Sequence, residues 1–434
     1  MQMKNNLKIL VVDGSGRGAA LVHAYSKSPL VSQIFAVPGN ELMQINSKVP
    51  VRIFPELKTT SVSEIVEICK NEKIDLVDVA QDNAVEAGVT NALLLENIQV
   101  VGPTREAGQI EWDKGWSRDF MKKYDLPVPI YKVFHSTQDA KDFIQKESNT
   151  RWFIKAAGLA EGKGAIPAET KREALEAIDR MAQFGKSGET FVIEEWLEGE
   201  EFSMFAVTDG ETHQIVGSAQ DHKRLYTGDK GPNTGGMGCS TPPLIVDAKI
   251  YSQGEDILKR AIEGLKKEGR VYKGVLYLGG IVVNGNVSII EFNARWGSPE
   301  AEVLVPSITN DMVEVAFTII EGKLKDIQIK TDGKARVVVA GALKPEAKPM
   351  TREIFGIDNV IKLPGITLYG ARVTKKGEKY FVSSGRLFQL VAEGLDVLDA
   401  RKKAYEAMSK LSIEGDNLHY RTDIGWRDVE RLRQ

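Results

Sequence analysis

Glu291 and Asn293 stand two residues apart in the run 288–300, SIIEFNARWGSPE. Ser288, Ile289 and Ile290 read as a strand, because β-branched apolar residues fit a pleated, half-buried surface. In a strand, residues i and i+2 share a face, so the carboxylate and the amide project together from a rigid element. Both offer hard oxygen ligands, the kind Mg²⁺ takes when nucleotide phosphates supply the rest of its shell. Arg295 is next on that face and carries a planar anion-binding fork. Gly297 and Pro299 then end the strand. The plainer alternative is a strand end with a solvated Glu and an Asn turn.

Lysines and acids recur at the ends of other predicted strands. Trp152 to Lys155 reads as a strand that ends in lysine. The Gly/Ala-rich segment 156–164, AAGLAEGKG, follows it and carries Lys163. No Walker spacing occurs, yet a mobile glycine loop with a lysine at its tip can close over phosphates. The alternative is a hairpin with solvated lysines. Phe191 to Leu197 is a predicted strand, and five acids fall between Glu194 and Glu201. Some of these could bind ribose hydroxyls through charge-assisted hydrogen bonds; otherwise they form a solvated acidic turn. Gln220 to Arg224 (QDHKR) is unusually polar for a strand terminus. The segment 228–238, GDKGPNTGGMG, holds five glycines, so it is either flexible or folded to bring backbone against a ligand. His222 is read as structural. No Ser–His–Asp or Cys–His set points to acyl-enzyme chemistry.

These residues need a scaffold, and 434 residues are too many for a single core; about three domains are expected. Composition is that of an ordinary globular protein, and the net charge of −3 leaves no basic field for nucleic acid or membrane. Cys69 and Cys239 form no metal-spaced cluster, and a reduced, cytoplasmic compartment is expected. The apolar run near the N-terminus is too short for a signal segment, and no stretch reaches the length of a membrane span.

Leu7 to Val12 predicts a buried parallel strand, followed by the glycine turn 14–18 and a helix through Tyr25, a place where backbone N–H groups could hold a phosphate. Strands at 33–37, 74–79 and 99–101 alternate with helices at 62–71 and 90–96. The pattern predicts an open, mostly parallel α/β sheet over residues 1–109. Its ligand side lies beyond the strand carboxyl ends, at 14–18, 38–40 and 81–83. A second domain is expected over 110–326, opening on the helix 114–124 and containing a lid at about 130–197. Strands at 335–340, 367–373, 380–383 and 386–392, with an amphipathic helix over 396–411, predict a small α+β domain over 327–434.

Taken in order, GLAEGKG, IEEWLEGEE, SAQDHKR, GPNTGGMG and IEFNARWGSPE resemble the phosphoribosylamine–glycine ligase family, purine-biosynthetic enzymes of the ATP-grasp superfamily. Residues 100–103 with Lys114, the run 384–386 and the tail 419–425 are similar too, so the resemblance spans nearly the whole chain. It implies a ligase in which glycine attacks the γ-phosphate of ATP, giving an acyl phosphate that the amine of 5-phosphoribosylamine captures. The product would be glycinamide ribonucleotide. By that resemblance Lys114 and Lys155 contact ATP phosphates, Lys163 sits on the lid, and Glu194, Glu195 and Leu197 line the adenine hinge. Glu201 takes the ribose, and Glu291 and Asn293 hold Mg²⁺ or Mn²⁺. Asp221, Lys223, Arg224 and Arg295 lie near the reacting groups. Gly16, Arg17, Asn40 and Asp82 face the amine substrate. A monomer or weak dimer is expected.

Three departures from the family pattern stand out. The turn Gly-Gly-Arg-Glu-His-Ala-Leu becomes Ser15-Gly16-Arg17-Gly18-Ala19-Ala20-Leu21. Gly-Pro-Glu-x-Pro-Leu becomes residues 80–85, AQDNAV, with Asp82 in place of Glu. Phe-Gly-Asp-Pro-Glu becomes Trp296-Gly297-Ser298-Pro299-Glu300. They leave two alternatives open: a ligase that joins a different amine to a small carboxylate, and a nucleotide-binding regulator without ligase activity.

Overall fold

A computed structural model describes residues 5–160, 162–348 and 350–433. Glu161 of the glycine-rich segment and Pro349, the end of an expected loop at 345–349, lie outside them. Among the described residues the N-terminal strands form a five-stranded sheet in the order Val51–Ile53, Val31–Ala36, Leu7–Val12, Leu76–Val79, Val100–Val101. Every pairing in it is parallel. Leu7–Val12 is covered on both faces, which is why it reads as a continuous apolar run. The strand order reverses at Leu7–Val12 and Leu76–Val79. That switch point brings residues 13–16 and 80–82 side by side, where open α/β sheets hold their ligands.

The largest sheet joins the middle of the chain to its C-terminal part. Among the described residues it has nine strands. Asn286–Asn293, Gly274–Val283, Glu200–Thr208 and His213–Asp221 form one half. Gly238–Thr241 is the bridge: it pairs with His213–Asp221 on one side and with Ala335–Leu343 on the other. Arg386–Gly394 and Ile366–Gly370 continue the second half, and the short strand Leu418–His419 pairs with the end of Ala335–Leu343 as the ninth. The boundary expected near 326 is thus crossed by strand hydrogen bonds. A separate four-stranded antiparallel sheet at 131–195 runs Tyr131–Phe134, Phe191–Glu195, Trp152–Ala156, Ala165–Ala168. Its core of Phe134, Ile144, Trp152, Ile154, Phe191 and Ile193 is distinct from the neighbouring cores, as a lid requires.

Several elements differ from expectation. Thr367 to Val373 does not form one strand: Ile366–Gly370 lies in the large sheet and Val373–Lys376 in a small four-stranded one. The chain turns between them, where the Ala371 and Arg372 N–H groups both donate to the Leu387 carbonyl. The helix expected over 171–184 is α-helical over Lys171–Asp179 and tightens to a 3₁₀ turn over Arg180–Phe184. Among the elements that carried no expectation are the short edge strand Val51–Ile53, the helix Asp82–Glu86 and the 20-residue helix Ala248–Lys267. The last buries Ile250, Ile257, Leu258, Ala261, Ile262 and Leu265, an i, i+3/i+4 stripe against the back of the large sheet.

Candidate active site

A cleft of about 310 Å³ opens between the large sheet and the lid sheet. Glu291 and Asn293 stand on its wall at the end of Asn286–Asn293. Phe292 between them turns into the core, the alternation that a strand dictates. A carboxylate and an amide oxygen on one wall are the donor set Mg²⁺ uses when phosphates complete its shell, so these residues fit a divalent cation held together with a nucleotide. Arg295 also faces the cleft. Its guanidinium donates to the Trp296 carbonyl at 3.1 Å and to Asn293 Oδ1 at 3.1 Å. Its Nη2 lies 2.7 Å from Glu111 Oε1 and 3.9 Å from Asp82 Oδ2.

Across the cleft, Lys155 ends its lid strand against Glu194, at 2.6 Å. Arg118 holds the other oxygen of Glu194 at 2.5 Å and also donates to the Ile290 carbonyl on the metal-side strand. The triad therefore joins the helix Lys114–Lys123, the lid and the large sheet. Burial alone would raise the Glu194 carboxyl, but Arg118 and Lys155 outweigh it and hold the group at about 2. The Glu194 side chain is occupied by this triad rather than free to meet a base. Glu195 accepts from the Ile130 N–H at 2.8 Å. Leu197, Phe153, Ile281 and Ile289 give the same end of the cleft an apolar lining, suited to a flat ring. Lys114 lies opposite, its ammonium 3.4 Å from the Gly158 carbonyl. Gly162 and Gly164 line the cleft on either side of Lys163.

Beyond this, Lys223 is paired with Glu201 at 2.5 Å and with Asp221 at 3.1 Å. All three line the cleft. Burial pushes the Asp221 carboxyl up to about 6, against the pull of Lys223. Arg224 is placed differently from expectation: it lies outside the cleft lining, and its guanidinium donates to the Gly231 carbonyl at 2.8 Å, bracing the hairpin of Arg224–Tyr226 with Lys230–Asn233. That hairpin delivers Asn233, Thr234 and Gly235 to the cleft. Arg386 fastens the loop from behind, donating to the carbonyls of Gly235 and Ser298 at 2.6 and 3.0 Å. His222 is structural, as read: it is fully buried, its Nε2 accepts from the Gly425 N–H at 3.2 Å, and burial followed by the charges of Arg421 and Arg427 lowers it to about 3.

On the N-terminal side only Asp82 of the expected set reaches the cleft. Gly16, Arg17 and Asn40 do not line it. The start of the helix Gly16–Tyr25 is closed by the chain's own Asp13, which accepts from the N–H groups of Ser15 and Gly18. An internal carboxylate therefore takes the helix-start N–H groups that could otherwise hold a phosphate. Asp13 Oδ2 also pairs with Arg17 at 2.6 Å, and Arg17 donates to the Trp296 carbonyl. A Cβ at Gly18 would fall 2.8 Å from Asp13 Cβ, so the acid missing at position 18 is answered by one at position 13 in the same space. Asn40 ties the carbonyls of Gly14 and Gly370 together. Gly16 abuts Gln389 and Glu302. Glu302 in turn accepts from the Ser298 hydroxyl at 2.8 Å, and burial raises its carboxyl to about 7.

Four groups of the site carried no sequence expectation: Glu111, Arg118, Tyr277 and Glu300. Tyr277 donates to Glu300 Oε1 at 3.0 Å, and both line the cleft. Glu300 stood inside the quoted run IEFNARWGSPE. Arg118 follows Lys114 by one turn of the same helix, whereas Glu111 lies on a separate short helix before the break at Asp113.

A two-sheet clamp, with lysines on the lid side and an oxygen-ligand pair on the facing wall, defines an ATP-grasp enzyme. The chain belongs to the phosphoribosylglycinamide synthetase family: sequence models of that family's N domain, ATP-grasp (A) domain and C domain match residues 7–111, 112–301 and 334–427. It is 36% identical over 434 residues to a phosphoribosylamine–glycine ligase of Streptococcus pneumoniae strain R6, covering 98% of this chain and 100% of that one. It is also 36% identical to the ligase of that name from Caldanaerobacter subterraneus subsp. tengcongensis, with 96% and 99% covered. The crystal structure of phosphoribosylamine–glycine ligase from Thermotoga maritima superposes with a TM-score of 0.80 at 28% identity, covering 96% of this chain and 100% of that one. The biotin carboxylase domain of 2-oxoglutarate carboxylase from Hydrogenobacter thermophilus, solved with magnesium ADP and bicarbonate, shares the fold at a TM-score of 0.74 and 16% identity, with 96% and 92% covered.

Proposed function

We infer that the chain joins glycine to 5-phosphoribosylamine with ATP, giving glycinamide ribonucleotide, ADP and phosphate, a step of purine biosynthesis. One observation carries the reading: a single cleft collects the phosphate-side lysines, the metal-type pair and the Asp221/Lys223 end, in a chain related to named ligases along its whole length. The glycine carboxylate attacks the γ-phosphate, forming an O–P bond as the bond to ADP breaks. The amine of phosphoribosylamine then attacks the carbonyl of glycyl phosphate, and phosphate leaves.

In this reading Lys114 and Lys155 neutralise the ATP phosphates, with Lys155 leaving Glu194 for the nucleotide. The lid segment around Lys163 excludes water from the labile acyl phosphate. Glu195 and Leu197 border the adenine and Glu201 the ribose. Glu291 and Asn293 hold Mg²⁺ or Mn²⁺, which when bound offsets phosphate charge. Arg295, Asp221 and Lys223 face glycine and the transferring phosphoryl group. Asp82 serves the amine side. Residues 1–109 contribute that side, 110–326 the nucleotide and metal, and 327–434 the strands and clamps behind the substrate loop. The buried free thiols Cys69 and Cys239 suit a reduced cytoplasmic setting.

The test is ADP release by the purified protein with Mg²⁺-ATP and glycine, with and without freshly generated phosphoribosylamine. Release that needs both substrates, with glycinamide ribonucleotide seen by mass, is the expected result. ATP turnover with other amines but not this one would replace the acceptor and keep the ligase.

A further inference from the structure

Glu111 sits on the short helix Gln109–Trp112, three residues before Lys114, and is nearly fully buried. Each of its carboxylate oxygens has a separate partner. Oε1 meets Arg295 Nη2 at 2.7 Å, and Oε2 accepts from the Ala294 N–H at 2.7 Å. One side chain therefore grips both the backbone and the side chain just past Asn293. Arg295 Nη2 has two further acceptors, Asn293 Oδ1 at 3.1 Å and Asp82 Oδ2 at 3.9 Å. Glu111 is the nearest acceptor of the three and, unlike Asn293, a carboxylate. The geometry points to Glu111 as the positioning residue that holds Arg295 by its own charge, so that Asn293 Oδ1 is released to a divalent cation, and that locks the metal-side strand end to the start of the nucleotide-side helix.

The physical argument is a competition. A guanidinium and a cation both seek the single amide oxygen of Asn293. A guanidinium already satisfied by a buried carboxylate gives that oxygen up readily, because the carboxylate offers it a full opposite charge and the amide oxygen only a dipole. Without the carboxylate, Arg295 turns to Asn293 and Asp82, and cation binding must break those contacts. Glutamine at 111 can still accept from the Ala294 N–H, but its NH₂ group then faces the donors of Arg295. Glu111→Gln therefore removes the charge while keeping the shape.

The inference rests on the assignment of Glu291 and Asn293 to a cation, and it is read without the glycine or amine substrates. Mn²⁺ binding to full-length protein saturated with ADP is measured by electron paramagnetic resonance. The Mn²⁺ Kd of E111Q is expected to rise by about 10-fold or more, the usual effect of losing a group that supports a metal ligand. Metal-free ADP binding stays at the wild-type value, while the unfolding midpoint falls because the buried Arg295 guanidinium loses its nearest carboxylate. An unchanged Mn²⁺ Kd overturns the proposal, as does a loss of Mn²⁺ binding matched by an equal loss of metal-free ADP binding. Should E111Q fail to fold, Arg295→Gln reads the contact from the other side, since the variant without the competing guanidinium is expected to bind Mn²⁺ at least as tightly as wild type. Weaker Mn²⁺ binding by a folded R295Q overturns the competition. A wild-type protein that makes no glycinamide ribonucleotide, while E111Q still loses Mn²⁺, sinks the proposed reaction and leaves this role standing.

Discussion

The Arg17 guanidinium donates to the carbonyl of Trp296, 279 residues away, at 2.8 Å, and Asp13 balances its charge from the other side. Arg295 donates to the same carbonyl. The turn after the metal-side strand is thus held by one arginine from the first helix and by another two residues past the strand end. Arg17 and Asp13 are nearly inaccessible to solvent. Replacing Arg17 by Ala leaves a buried carboxylate without its partner, at a cost of about 3–5 kcal/mol. A lowered unfolding midpoint for Arg17→Ala, partly restored by adding Asp13→Asn, is the expected calorimetric result. An unchanged midpoint would count against the clamp.

Glu291→Ala and Asn293→Ala leave the fold intact, because both side chains face a cleft rather than a core. Turnover, followed as ADP release, is expected to fall by about 100-fold or more, at least the upper range seen when only a ligand's supporting partner is lost. Wild-type turnover in a folded Glu291→Ala protein would remove the metal assignment.

Asp82 heads the helix Asp82–Glu86 and faces the cleft from the N-terminal sheet, where its Oδ1 accepts from the Asn83 N–H at 2.8 Å. Asp82→Ala is expected to raise KM for phosphoribosylamine while leaving KM for ATP near its wild-type value. Steady-state kinetics with each substrate varied in turn decide this. Equal losses for both would move Asp82 off the amine side.

Glu194 has a native carboxyl held at about 2 against an ordinary value of 4.5. A depressed pKa stabilises the fold above the unfolded value, and that stabilisation is lost as pH falls from about 4.5 toward 2. The shift corresponds to about 3 kcal/mol. Thermal unfolding followed between pH 6 and pH 2.5, chosen as roughly spanning that window, should show wild type losing more stability than Glu194→Gln. Parallel curves for the two proteins would mean that the triad does not behave as one buried charge network.

Gly16 lies so close to Gln389 that a Cβ at this position would sit 1.5 Å from Gln389 Oε1 and 2.5 Å from Glu302 Oε1. Gly16→Ala is expected to destabilise by about 1–3 kcal/mol, the usual penalty for overpacking. Gln389→Ala in the same chain should recover most of it, since residues in contact do not act additively. Full additivity of the two changes in denaturant unfolding would show that the contact is not the cause.

The sequence made the site's chemistry legible where residue type and strand alternation coincide, as at Glu291 and Asn293. It made the first sheet legible because its strands are short, buried and bounded by glycine turns. It misled where a backbone signal had a second claimant. The glycine turn at 14–18 looked ready for a phosphate, but Asp13, one residue upstream, fills the helix start itself. Arg17 and Arg224, which the family resemblance sets beside the substrates, each donate to a carbonyl of the chain. Glu111 went unremarked because its partners are 183 and 184 positions away at Ala294 and Arg295, and no local pattern encodes a contact of that range. The helix Ala248–Lys267 carries a regular apolar stripe that faces the back of the large sheet and lies away from the site's chemistry.

The shared sheet also determines where this molecule can be cut. Gly238–Thr241 is hydrogen-bonded on both edges, to His213–Asp221 and to Ala335–Leu343. A fragment ending near residue 326 would strip one edge bare and leave a row of unpaired backbone groups open to other chains. The four-stranded sheet at 131–195 shares no strand with it. A protease nick or a split-protein junction is therefore best tolerated within that lid region, whereas the C-terminal third behaves as part of the same plank as the cleft floor.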